Sequence, residues 1–269
     1  MADPLILNPT VRRLKKNLPG LGGLLDFLEL NALDVYHFHE DFDGGVSAAA
    51  LTTGTDPEGK FALLTDNGGT ALFTAASRNG VCTLGVIGTA DNNYAFIYVP
   101  HVPCAGNLNS VLAVRLAIVT AVTNVKVEVG FADDPATDAG IVNVLATPNF
   151  NSSNGVAAVY DTDDAGNPTY WQLAGVKAGA AATKIEPAAE APVADTYQTI
   201  IVGLRSTSAK MMILNEAGAV INATETAWMA DAITAATGVS PWVGVQNRAT
   251  TAKSILIDSV DFWQRRSST

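Results

Sequence analysis

The chain has 269 residues, 48% of them hydrophobic and 16% charged, and a formal net charge of −10. Apolar content at that level supplies a core and excludes a disordered chain, while the acidic balance repels a polyanion and argues against nucleic acid as a partner. No run of about 18 apolar residues is free of polar breaks, so no membrane span is expected, and the N-terminus lacks the basic region, apolar core and cleavage site of a secretory signal.

Residues 1–35 differ in texture from the rest. Pro4, Pro9 and Pro19 punctuate them, and Gly20, Gly22 and Gly23 loosen their middle. Proline blocks helix continuation and glycine permits unusual backbone angles. Two short helices are predicted between the breaks. One is capped at Asn8, with Pro9 at its first position, and runs through Val11 to Asn17. The other covers Leu24 to Leu30, with Leu24, Leu25, Phe27 and Leu28 on one stripe. A piece this small does not fold alone, so it is expected to be an arm lying on the following domain or on another molecule. Leu5, Ile6, Leu7 and Leu14 join the stripe as apolar anchors. Arg12, Arg13, Lys15 and Lys16 form a basic span that is either a solvated helix face or a contact for an acidic surface. These twelve residues are the expected partner-binding set.

From Val35 the pattern changes to strands and turns. His37 and His39 share one strand face, with Glu40, Asp41 and Asp43 following. The spacing fixes no third ligand, so the expectation is a polar strand face without metal. Short strands are predicted at Phe61–Thr65, Ala71–Ala75, Cys82–Ile87 and Tyr94–Val99. Turn residues such as Asn67-Gly68-Gly69 and Asn79-Gly80 lie between some of them. The longest apolar stretch, Ser110–Asp133, reads as two strands joined in a hairpin. Val125, Val127 and Val129 turn inward, and Lys126, Glu128 and Gly130 lie on a wetter face.

A weaker strand is predicted near Ile141–Leu145. Val156–Tyr160 and Thr169–Leu173 flank the turn Asp161–Asn167. Asp161, Asp163, Asp164 and Asn167 suggest calcium, but an EF-hand loop needs a ligand at its fifth position and Glu at its twelfth, where Ala165 and Gln172 stand. A hairpin turn is the expectation. The Ala-rich segment Gly175–Pro192 is expected to be an excursion. Strands follow at Gln198–Ser206, Lys210–Leu214 and Ala219–Ile221, then a short helix at Trp228–Thr237, then strands at Trp242–Arg248 and Ser254–Arg265. Simple alternation along the last strand puts Asp258 and Asp261 out of phase. Cys82 and Cys104, the only cysteines, are expected to be free thiols packed in strands.

About a dozen short strands argue for an all-β, antiparallel two-sheet jelly-roll sandwich over 36–269, preceded by the arm of short helices at 1–35. There is no G-x-S-x-G, P-loop or H-E-x-x-H motif, and no E-x-D-x-x-E carboxylate string. The protein is therefore read as a non-enzyme with no cofactor. EDFDGG, VLAVRLAIV with VKVEVGFAD, VYDTDDAGNPTYWQLA, TIIVGLRS with KMMILNEAGAVI, and SILIDSVDFWQRR follow one another in an order that resembles the concanavalin A-like (LamG-type) jelly rolls of tailed-bacteriophage structural proteins. The resemblance covers about Val35 to Arg266. With an arm ahead of the sandwich, it implies a virion protein of the capsid decoration or cement type. Such a protein binds the major capsid protein or another virion protein and forms a homo-oligomer. The competing reading is a carbohydrate-binding module of a head or tail fibre, with Tyr160, Tyr170 and Trp171 as exposed edge aromatics beside the Asp161–Asp164 turn.

Overall fold

The computed structural model describes residues 35–42, 50–51, 54–55, 60–66, 69–74, 80–86, 90–100, 104–135, 140–145, 149–181, 184–185, 191–222 and 227–266. Residues 1–34, and with them all twelve expected partner-binding residues, lie outside these ranges.

The strands in chain order are β1 (Val35–Glu40), β2 (Ala50–Leu51), β3 (Gly54–Thr55), β4 (Ala62–Thr65), β5 (Gly69–Thr74) and β6 (Val81–Val86). Then come β7 (Tyr94–Tyr98), β8 (Val111–Ile118), β9 (Val125–Ala132), β10 (Val142–Val144), β11 (Asn149–Phe150) and β12 (Gly155–Asp161). The last six are β13 (Gln172–Lys177), β14 (Ala180–Ala181), β15 (Gln198–Arg205), β16 (Ser208–Leu214), β17 (Ser240–Asn247) and β18 (Lys253–Arg265). Sheet A runs β16-β15-β8-β18-β6-β5-β2, with β1 also paired to β18. Sheet B runs β14-β13-β12-β9-β17-β7-β4-β3. The two form the expected antiparallel sandwich. β6 and β1 share one edge of the long β18, on Lys253–Ile257 and Val260–Arg265 respectively.

The main core lies between the sheets. Leu112, Val114, Leu116 and Ile118 of β8 face Val125, Val127, Val129 and Phe131 of β9 across it. Period-two alternation produces that face, and each large side chain buried there adds on the order of 1.5–3 kcal/mol. The predicted Ser110–Asp133 hairpin is not formed. β8 pairs with β15 and β18, and β9 with β12 and β17, so the connection passes from one sheet to the other. The letters of a crossover and of a hairpin are the same here, because both need two strands with one apolar face. The other face of β9 is not wet either: all eight of its residues are buried.

Trp228–Thr237 is not helical. Met229, Ala232 and Ile233 are anchored in the main core. Their backbone N–H groups are taken by carbonyls across the chain, Met229 by Ala209 and Ala232 by Thr207. A helical ladder would need those donors for itself.

β18 carries the irregularity that matters most for the surface. Its register against β8 shifts between Ile257 and Ser259. Ile255 and Ile257 point into the core before the shift, and Val260 and Phe262 after it. One extra residue flips the phase. Asp258 and Asp261, expected on opposite faces, therefore both point away from the core.

Cys82 and Cys104 are free and fully buried. Burial pushes the Cys82 thiol well up, and burial pushes Cys104 to about 12 although a hydrogen bond with Ser110 pulls the other way. Thiolate is the reactive form. The folded protein is thus expected to leave both thiols unmodified by Ellman's reagent at pH 8, and to release two equivalents only in denaturant.

Candidate functional site

The outer face of sheet B is divided in two. Over β9 and β12 it is closed by a flap, residues 140–145. Lys126 and Glu128 point outward from β9 into this cover and pair at 2.6 Å, with 1% and 0% of their side chains exposed. The Glu128 carboxylate accepts from the backbone N–H groups of Ile141 (2.7 Å) and Val142 (3.1 Å), and Lys126 donates to the Val142 carbonyl. Ile141, Val142 and Leu145 then pack on Ala157, Val159 and Ala174.

The other half, over β17, β7 and β4, is floored by rings. Tyr94 meets Phe96 at 5.4 Å, Phe96 meets Trp242 at 4.6 Å, and Trp242 meets Tyr98 at 6.2 Å between centroids. Gly244 makes room for this row, since a Cβ there would sit 1.6 Å from the Phe96 ring. Phe96 and Trp242 are buried, whereas Tyr94 and Tyr98 are half-buried at the rim. Burial, then the charge of Asp66, pushes the Tyr94 hydroxyl up; burial, then Asp134, does the same to Tyr98. Both phenols stay protonated donors at neutral pH, each with a carboxylate in its field. The Trp242 indole N–H is buried without a hydrogen-bond partner.

The Asp161–Asn167 turn is tied up internally. Arg248 donates from Nε and Nη2 to the two oxygens of Asp161, at 2.9 and 2.6 Å. Asp164 accepts from the Gln172 amide (2.6 Å), Lys184 Nζ (3.0 Å) and the Gly166 N–H (3.1 Å). The aromatics expected beside it as stacking platforms fail in two cases of three. Tyr160 and Trp171 are buried in the main core, Tyr160 donating to the Val122 carbonyl and Trp171 to Gln198 Oε1. β13 begins at Gln172 rather than Thr169, so Trp171 enters the interior from the end of the turn. Tyr170 is half-buried.

Burial raises the Asp164 carboxyl, but the hydrogen bonds from Gln172, Lys184 and Gly166 and the charge of Lys184 outweigh it and hold the group below its ordinary value. A depressed carboxyl stabilises the fold above its unfolded pKa, about 3.9, and that contribution is lost as pH falls through the lower folded value. Urea titrations from pH 6 to pH 3 should therefore show a steeper loss of stability in the parent than in Asp164→Asn, which is the less stable of the two at pH 6.

A third cluster lies on the outer face of sheet A. His37 and His39 sit two apart on β1, and the antiparallel register sets His39 opposite Asp261 and His37 opposite Trp263. Asp261 Oδ1 lies 3.1 Å from His37 Nε2 and 2.7 Å from His39 Nδ1. His39 Nε2 is 3.5 Å from Asp41 Oδ2. The His37 ring stacks on Trp263 with centroids 5.0 Å apart and parallel planes. Burial raises the Asp261 carboxyl, but the hydrogen bonds and charges of the two histidines prevail and lower it. The sequence supplies the histidine pair; Asp261 is missed because the β18 bulge reverses its expected facing.

No family model matches the chain, and no curated protein matches it. Solved structures do. Peanut lectin superposes with a TM-score of 0.54 at 10% identity, covering 88% of this chain and 100% of the lectin. Lectin II from Ulex europaeus gives 0.53 at 9%, covering 86% and 99%. A Shewanella oneidensis protein of unknown function gives 0.50 at 14%, covering 100% and 99%. The fold is a concanavalin A-like jelly roll. At these identities the likeness concerns the fold alone.

Proposed function

We propose that the protein is a non-catalytic, lectin-like binding module that takes a carbohydrate on the ring-floored half of sheet B. The observation that carries this reading is the pair of half-buried rings Tyr94 and Tyr98, backed by the buried Phe96 and Trp242 and rimmed by Asp66 and Asp134. Sugar C–H faces pack on aromatic rings, and sugar hydroxyls donate to carboxylates, so a mostly apolar floor with a few polar groups at its edge suits such a ligand. The lectins among the structural neighbours support the same reading. The test is a glycan array with the full chain, followed by Tyr94→Ala and Tyr98→Ala. A hit weakened at least tenfold by either substitution supports the site, whereas no hit, or a hit indifferent to both, removes it.

The virion reading rests on the sequence resemblance and on the arm, and it need not conflict with glycan binding by the sandwich. On that reading the arm anchors the protein to a shell protein or a sister subunit. Deleting residues 1–30 should empty its positions on assembled particles, and undiminished occupancy would dismiss the arm as anchor.

A further inference from the structure

We propose that His37, His39 and Asp261 form a binding site for a borderline divalent transition ion, Zn2+ above all, on the outer face of sheet A. The donor set is two imidazoles and a carboxylate, the combination that suits zinc and its neighbours and not Ca2+ or Mg2+, which prefer oxygen alone. The three donor atoms already converge: all lie within 4.8 Å of one another. In a tetrahedral site with bonds of about 2.0–2.2 Å, donors stand about 3.4 Å apart. The observed 3.1 and 2.7 Å fall short of that spacing by about 0.3 and about 0.7 Å, and the two imidazole nitrogens lie within 4.8 Å, so sub-ångström side-chain adjustments complete the site.

The histidines are also held as ligands are held. His39 lies between two carboxylates, Asp261 on Nδ1 and Asp41 on Nε2. Neutral imidazole has one N–H and one lone pair, so donating to both sides takes either a second proton or a cation in that proton's place. An ion at Nδ1 fits the arrangement: the lone pair binds the metal and Nε2–H donates to Asp41, the usual outer partner of a ligating histidine. Trp263, itself buried, fixes the plane of His37 by stacking. The side chains of His37, His39 and Asp261 keep 24%, 32% and 20% of their surface in solvent, which leaves the fourth position for water or an exogenous ligand. Two rigid strands set the spacing, so no loop closure is needed.

The site is independent of the glycan reading and is tested without any sugar. The full chain, stripped with EDTA, is titrated with ZnCl2 by calorimetry, alongside His37→Asn/His39→Asn, His101→Asn and Asp41→Asn. The expected result is one ion per chain, lost in the double variant and kept in His101→Asn. Asp41→Asn keeps the stoichiometry but binds about 10–100-fold more weakly. Ca2+ and Mg2+ in excess should not displace the ion. Equal uptake by parent and double variant, or none by the parent, overturns the proposal. Should the double variant fail to fold, the parent loaded with Co2+ decides. Intense visible bands of a tetrahedral ion support the site, and the weak spectrum of the hydrated ion refutes it.

Discussion

Glu128→Gln is expected to lower stability by about 3–5 kcal/mol in guanidinium titrations, the cost of leaving a buried charge without its partner. Lys126 would remain in a place where 1% of its side chain reaches water. The amide also presents one acceptor where the carboxylate offers two, so either the Ile141 or the Val142 N–H goes unsatisfied. Lys126→Met should be costly for the complementary reason. The double variant Lys126→Met/Glu128→Gln is expected to lose less than the sum of the single variants, since no buried charge is left over. Additive losses would mean that the two charges do not interact. Because the pair holds residues 140–145, amide exchange at Ile141 and Val142 should accelerate in Glu128→Gln before the sheets themselves open. The apolar patch of Ala157, Val159 and Ala174 then becomes reachable by a hydrophobic dye.

How much of this was legible in the letters depends on the range of the interaction. Alternation and turn chemistry are local, and they located β4, β6, β7, β15, β16, β17 and β18 to within a few residues. Pairing partners are not local. Ser110–Asp133 looks like a hairpin because nothing in its letters distinguishes two strands that pair from two that face each other across a core. Lys126 and Glu128 look like surface residues because the flap that covers them starts at residue 140, a dozen positions on. The metal-ligand candidates show the same limit. His37 and His39 are visible as a same-face pair, but the third donor is 222 positions from His39 and its facing depends on a bulge. Tyr160 and Trp171 misled in the opposite direction. Flanking an acidic turn, they resembled a surface platform, yet one continues an inward strand face and the other fills the core beside it.

The acidic turn supplies the second large effect. Arg248→Leu is expected to cost about 3–5 kcal/mol, because Asp161, with 2% of its side chain exposed, would lose both charge-assisted hydrogen bonds at once. The Nη1 contact to Asn92 Oδ1 at 2.5 Å is lost as well, although the loop before β7 stays tied to the end of β17 through Gln246 and Asn247. Arg248→Lys should recover little: an ammonium group cannot reproduce the planar fork that engages two carboxylate oxygens and an amide together. Asp161→Asn should cost less than Arg248→Leu, since it buries no unpaired anion. The same measurements decide what the turn is for. An arginine already occupies the position that a cation would take, so the melting temperature of the EDTA-stripped parent should be unchanged by added Ca2+. Stability that rose with added Ca2+ would show the turn to be an ion site and Arg248 a bystander. An unchanged melt together with a large loss in Arg248→Leu makes it a clamp closing one end of sheet B.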